Sequence, residues 1–378
     1  MKRIIFLIVI LSISKFSFST PLNWPKLNTT IYRAVNEMEN NCSNYSIDTT
    51  SNEQFEFKDH HQSQAISPKW KNNNITISIS HSETDSGDKG KFFFSTVKPE
   101  NQNSEGVLVG DDEIYPVFSQ ETTEQHPSGI TWFDKDLGSF DKVEYAYSVS
   151  ANENSGIIQF REFDNGTPTG IIHDFKLDNF GSLTDIWFAI HDGVYYMIAH
   201  DMNHGIGNVY IIDPNAFQNN STQLKSDFVN SLSKKSHRIG TVTTSSYISL
   251  KGSYTSPTDT GCGKSLGQNA ELVMDSQENW YVVYSFTDSF ACGDNMGNNV
   301  VKAYPASFDE NGNFSIGGDA TVTVEEWVGY SAGGTSRGAD GAAGFKVTPS
   351  GVLVGLFGAQ FSGLSNFDYR TTLELCHR

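Results

Sequence analysis

Apolar and polar positions alternate with a period of two through much of the chain beyond residue 75. Ile75-Thr-Ile-Ser-Ile-Ser80, Val143-Glu-Tyr-Ala-Tyr-Ser148, Gly156-Ile-Ile-Gln-Phe-Arg-Glu-Phe163 and Thr321-Val-Thr-Val-Glu325 all follow this rule. Successive side chains of a strand point to opposite faces, so the pattern predicts strands rich in β-branched and aromatic residues. Turn chemistry separates them: Asp164-Asn165-Gly166, Asp192-Gly193, Asp309 to Gly312 and Pro349-Ser350-Gly351. Helical periodicity is confined to two short stretches, Tyr32 to Met38 and Ser226 to Lys235. The chain reads as all-β.

Four segments share one design, an acidic or glycine turn followed by an aromatic-aliphatic strand. They run Asp111 to Phe118, His191 to Ile198, Asp275 to Tyr284 and Pro349 to Leu356. Their first apolar strand residues are Ile114, Val194, Trp280 and Val352, at intervals of 80, 86 and 72 residues. Weaker starts at Ile75, Ile157, Ile239 and Phe314 fill the gaps and bring the mean step near 40. One four-stranded propeller blade occupies about 40 residues. The spacing therefore predicts a β-propeller-like ring of about seven blades, with tandem β-sandwiches as the alternative. In domain terms, 1–19 is a signal peptide, 20–70 a polar irregular N-terminal segment and 71–378 an all-β repeat domain closed by the chain ends.

The N-terminus bears on compartment. Lys2 and Arg3 precede the apolar run Ile4 to Ile13, and Ser17 and Ser19 stand near Thr20-Pro21. That order is a secretory signal, too short for a bilayer anchor. No second membrane segment is visible, so a secreted product is expected. Four cysteines, Cys42, Cys262, Cys292 and Cys376, suit an oxidising compartment. Of three pairings, Cys262–Cys292 closes a local loop and Cys42–Cys376 ties the chain ends, as a ring requires. Asn-x-Ser/Thr occurs at Asn28, Asn41, Asn44, Asn74, Asn165, Asn219, Asn220 and Asn313. In a eukaryotic host these are glycosylation candidates on exposed loops.

Of 378 residues, 26 are Lys or Arg and 44 Asp or Glu, a formal charge of −18. This balance excludes phosphate-backbone binding, and no basic cluster offers a foothold on anionic lipid.

Candidate chemistry is sparse. Gly329-Tyr-Ser331-Ala-Gly333 matches a nucleophile elbow, with Asp340 or Asp368 and His377 in the required order. A glycine-rich stretch follows it where such an elbow needs a helix. Gly263-Lys264-Ser265 lacks the upstream glycine of a phosphate loop. His200, Asp201 and His204 could approach one another in a loop. Acidic glycine loops at Asp85–Asp88, Asp134–Gly138 and Asp309–Asn313 lack calcium-loop spacing. Neither a metal nor a cofactor is expected.

Asp185-Ile-Trp187 beside the strand Gly193-Val-Tyr-Tyr196 resembles one blade of five-bladed glycoside hydrolases. That resemblance implies two carboxylates across a sugar, with Asp185 and Glu326 as members. With every catalytic motif incomplete, the leading expectation is a secreted non-enzymatic protein that binds glycans or an extracellular protein through inter-blade loops. A propeller-type glycoside hydrolase is the alternative, and a Ser331 hydrolase the third. Carboxylates converging on the ring axis would displace the binding reading.

Overall fold

The computed structural model describes residues 24–38, 42–48, 61–81, 89–98, 113–114, 116–121, 127–134, 142–152, 155–177, 180, 182–201, 205–212, 248–257, 270–287, 299–327, 342–359 and 370–377. In chain order the elements are α1 (Ile31–Met38), β1 (Cys42–Asp48), β2 (His61–Ile66), β3 (Ile75–His81), β4 (Lys91–Val97), β5 (Glu113–Ile114), β6 (Pro116–Glu121), β7 (Pro127–Phe133) and β8 (Tyr145–Asn152). They continue as β9 (Ile157–Asp164), β10 (Thr167–Lys176), β11 (Leu183–His191), β12 (Val194–Asp201), β13 (Ile206–Ile212), β14 (Ile248–Thr255) and β15 (Ala270–Met274). The chain ends with β16 (Trp280–Thr287), β17 (Asn299–Phe308), β18 (Phe314–Ile316), β19 (Val322–Trp327), β20 (Ala342–Val347), β21 (Leu353–Ala359) and β22 (Arg370–His377).

Among the described residues the strands form five sheets of four or five strands. The first holds β2-β3-β4-β6, the second β7 to β10, the third β11 to β14 and the fourth β15 to β18 with β19 on β17. The fifth runs β20-β21-β22-β1-β5. One edge strand from each sheet touches the next around a closed circuit: β2 with β7, β7 with β11, β11 with β15, β15 with β20, and β20 with β2. The sheets are blades of a β-propeller, and these five strands line its axis.

Five hydrophobic clusters fill the five interfaces between blades. Trp70, Phe92, Phe94, Trp132 and Phe163 join blades one and two, and Phe133, Phe160, Phe188 and Met197 join two and three. Trp187, Ile198, Val282 and Tyr304 join three and four. Val283, Val301, Phe345 and Leu353 join four and five, and Ile77, Ile79, Val354 and Leu356 join five and one. Both faces of every blade are therefore covered. Strands β3 and β7 are buried at every residue, which two-layer sandwiches with one solvated face do not produce.

The ring closes with the N-terminal strand, because β1 pairs antiparallel with β22 inside the fifth blade. Helix α1 buries Ile31, Ala34, Val35 and Met38, the i, i+3, i+4, i+7 stripe, in the interface between blades four and five. The segment before it is pinned to two hairpins: Leu27 N–H donates to Met274 O, Asn28 N–H to Gly351 O, and Ser276 N–H to Thr29 O.

The expectation of about seven blades is corrected: the described residues form five. Inner strands begin at His61, Pro127, Leu183, Ala270 and Ala342, about 70 residues apart on average. Three of the four strong repeats are the hairpin between the first and second strands of a blade: β11–β12, β15–β16 and β20–β21. Each interval between these three spans one whole blade. Ile157 begins the third strand of blade two and Phe314 the fourth of blade four. Ile239 lies outside the described residues.

The turn signals fold as their chemistry dictates. Asn165 and Gly166, and Asp192 and Gly193, all take positive φ in two-residue hairpins. Asp309 Oδ1 accepts from Asn311 N–H and Asn313 N–H, and Asp275 Oδ1 caps its own turn from Gln277 N–H and Asn279 N–H. The apolar run 4–13, Ser226–Lys235, Cys262 and Cys292 lie outside the described residues. Among the described residues no helix is long and apolar enough to cross a membrane.

Candidate active site on the propeller axis

The inner strands carry polar groups to the axis. Asp185, third residue of β11, is almost fully buried. Its Oδ1 accepts Ile186 N–H at 2.9 Å and its Oδ2 accepts Ala270 N–H from blade four at 3.1 Å. Glu271, second residue of β15, reaches across to blade two, where Thr131 Oγ1 donates to its Oε2 at 3.3 Å. Its Oε1 accepts Leu272 N–H at 3.1 Å. Lys346 of β20 sends its ammonium to the carbonyls of Ile66, at 3.1 Å, and Ser67 on blade one. Blade one contributes amides: Gln62 and Gln64 are buried, and among the described residues Gln64 has no hydrogen-bond partner for either amide atom.

Two glycines let these groups come so close. A Cβ at Gly129 would strike the Asp185 carboxyl and stand 2.6 Å from Thr184 O, and one at Gly344 would overlap the Gln64 carbonyl.

Burial dominates the electrostatics. It pushes the Glu271 carboxyl up to about 8, against the opposing pull of the Leu272 N–H, the Thr131 hydroxyl and the Lys346 charge. Asp185 is raised well above the ordinary carboxylate range by burial and then by Glu271, while the main-chain N–H groups of Ala270 and Ile186 favour its charged form. Desolvation brings Lys346 down to about 7, against Glu271 and Asp134. Two carboxyls in one another's field do not both ionise readily, so the pair retains a proton near neutral pH.

Beyond Glu271, toward the hairpin end of the axis, lies a cavity of about 70 Å³ lined by Trp24, Thr131, Trp132, Asp134, Glu271 and Lys346 among others. Residues 122–126, 258–269 and 328–341, which precede β7, β15 and β20 in the chain, lie outside the described residues.

Of the residues singled out by sequence, Asp185 is on the axis. Glu326 is not: β19 pairs with β17, the third strand out. Glu271 takes that place and was missed. Its signal was a lone acid in an apolar strand, nine residues before the next strand begins, as Asp185 stands nine before Val194. His200 and Asp201 do not converge on a metal. His200 Nδ1 lies 3.1 Å from the Tyr254 hydroxyl, its ring stacks on Trp187, and Asp201 Oδ2 accepts Ser182 N–H. His204 lies outside the described residues, among which no group of three or more His, Cys, Asp or Glu could hold a metal. Trp187 and Tyr196 pack between blades three and four. Asp134 lines the cavity. Ser331, Asp340, Asp368, the 85–88 loop and the 263–265 stretch lie outside the described residues, as do Asn41, Asn219 and Asn220. His377 is on β22. Asn28 and Asn313 are exposed, and Asn74 and Asn165 half-buried.

No protein-family model and no curated protein matches the sequence. Among solved structures, the catalytic domain of a Coprinopsis cinerea alpha-L-arabinofuranosidase shares 8% identity over 89% of this chain and 96% of its own, with a TM-score of 0.45. A Clostridium thermocellum alpha-L-arabinofuranosidase shares 13% over 68% of this chain and 73% of its own, at 0.37. A xylan beta-1,4-xylosidase from Bacillus halodurans shares 13% over 69% of this chain, at 0.40, and the match spans 44% of that enzyme's length. These proteins are similar in architecture.

The expectation of a non-enzymatic binding protein is corrected by the axis itself. Asp185 and Glu271 converge there, the observation that displaces a binding-only reading.

Proposed function

We infer that the protein is a glycoside hydrolase working at the axial end where the inner strands begin. The observation that carries this reading is the half-buried Glu271 carboxyl, held toward Thr131 and raised into the neutral range beside the buried Asp185 carboxyl. Glycoside hydrolysis needs such a pair, with one member still protonated when the other is charged. Glu271 is the general acid: it gives its proton to the glycosidic oxygen as the C–O bond breaks. Asp185, with two main-chain N–H donors that favour its charged form, is the partner carboxyl that faces the positive charge developing on the sugar ring. The N-terminal signal sequence supports action on extracellular glycans, with Asn28 and Asn313 as exposed glycosylation sites where the host glycosylates.

The test is a panel of chromogenic glycosides, arabinofuranosides and xylosides included, on purified protein. Hydrolysis of at least one is the expected result, and on the corresponding oligosaccharide, whose leaving group is poor, E271Q should be slower by about 10²–10⁴-fold. No turnover of any glycoside, or oligosaccharide turnover unchanged in E271Q, overturns the reading.

A further inference from the structure

One row of cross-strand partners crosses all four strands of blade three. Asp185 of β11 stands opposite His200 of β12, His200 opposite Gly207 of β13, and Gly207 opposite Tyr254 of β14. A bulge at Thr184 sets this register, and the Thr184 hydroxyl donates to the His200 carbonyl at 3.3 Å. Directly opposed residues of antiparallel strands project from the same face. Asp185, His200 and Tyr254 therefore share the face of blade three that packs on blade four, and all three are buried.

Gly207 makes the row continuous. A Cβ there would stand 2.2 Å from the Tyr254 ring, so the missing side chain leaves room for the phenol to lie over β13 and reach His200. The Tyr254 hydroxyl lies 3.1 Å from His200 Nδ1. The imidazole also stacks on the Trp187 indole, with centroids 5.8 Å apart and 17° between the planes. Trp187 Nε1–H donates to Ala270 O at 2.9 Å, and Ala270 N–H donates to Asp185 Oδ2 at 3.1 Å. The indole acts on the Asp185 carboxyl as well, favouring its charged form. An unbroken line of contacts runs from the outer strand to the axial carboxyl. Packing does not call for it, because apolar side chains would fill this aromatic interface without the desolvation cost of an imidazole and a phenol hydroxyl.

We propose that His200, keyed by Tyr254, is a positioning residue that fixes the Trp187 indole and through it the Asp185 carboxyl on the axis. The proposal rests on the glycosidase reading for its catalytic meaning, but the line of contacts stands independently of it. His200 touches no reacting atom. Its hydrogen bond to Tyr254 fixes the plane of the imidazole, and the imidazole fixes the plane of the indole. The indole N–H in turn fixes the Ala270 peptide, whose own N–H orients the carboxyl. Asp185 faces charge that develops only in the transition state, so loosening it lowers kcat and spares KM.

Y254F keeps the ring and removes only the hydroxyl. The Trp187 indole N–H, assigned in proton–nitrogen-15 NMR spectra by its disappearance in W187F, reads the coupling without any substrate. In Y254F its exchange with solvent is expected to speed up by about tenfold or more, while the indoles of Trp70 and Trp132, between blades one and two, keep their rates. On any glycoside that the wild type hydrolyses, kcat should fall by about tenfold or more with KM within about twofold. Unchanged Trp187 exchange in Y254F, equal acceleration of all three indoles, or a loss carried by KM alone overturns the proposal. Should Y254F fail to fold, H200F decides: it keeps a ring against Trp187 but cannot bond Tyr254, and unchanged Trp187 exchange there overturns the proposal. If no glycoside is hydrolysed, the glycosidase reading falls while the indole exchange still judges the row.

Discussion

Cys42 stands directly opposite Cys376 in the antiparallel pairing of β1 with β22. Adjacent antiparallel partners have Cα atoms about 4.5–5.5 Å apart, inside the span of about 4.4–6.8 Å that a disulfide bridges. The bridge expected here would lock the strand pair that closes the ring. Peptide mapping without reductant should recover the two cysteines linked. Reduction, or C376S, should lower stability by up to about 6 kcal/mol, the loop-entropy scale for so long a loop. Rapid alkylation of both thiols in native, unreduced protein would rule the bridge out.

Asp185 and Glu271 should respond differently to the leaving group. Loss of a general acid matters least when the departing group is already stable as an anion. E271Q should therefore lose about 10²–10⁴-fold on an alkyl glycoside or oligosaccharide and far less on a dinitrophenyl glycoside. D185N should fall on both alike. Equal losses for E271Q on the two substrates would remove Glu271 from the acid role.

Stability should carry a pH signature of the same residues. Glu271 titrates near 8 folded and near 4.5 unfolded, so between those values the native state holds the extra proton, and stability falls as pH rises. Lys346 titrates near 7 folded and 10.5 unfolded. Between those values the unfolded state holds the extra proton, and stability rises with pH. Thermal melts of E271Q should lose the falling slope between about pH 5 and 7. A slope identical to wild type would mean that the Glu271 carboxyl is solvated.

Gly129 is the hinge between blade packing and the site. Its substitution by Ala drives a methyl into the Asp185 carboxyl and the Thr184 carbonyl. Urea unfolding of G129A should show a loss of about 1–3 kcal/mol, with activity reduced more than an equally destabilising change in the aromatic cluster around Phe163 reduces it. Wild-type stability in G129A would mean that the two inner strands stand farther apart.

The strands and hairpins were legible because they depend on neighbours in sequence. Alternation located β3, β8, β9 and β19, and Asn165-Gly166 and Asp192-Gly193 marked their turns, since positive φ at two successive positions demands those residue types. The resemblance of the Asp185–Trp187 segment to a five-bladed enzyme pointed to the axis, yet spacing argued for seven blades. Periodicity cannot tell which strand of a sheet is innermost, so second, third and fourth strands entered one series.

What the chain alone determined is therefore local: strand faces, turn types and the short helix expected over Tyr32 to Met38, with Asp185 singled out by resemblance as a candidate acid. Tertiary structure decided the number of blades and the partner of that acid. Glu271 lies 86 residues beyond Asp185, and only the closing of the ring lets it reach Thr131 on another blade and lie in the field of Lys346 on a third. Desolvation is a property of that closed ring. It turns ordinary side chains into groups that titrate near neutrality, and no short stretch of sequence encodes it.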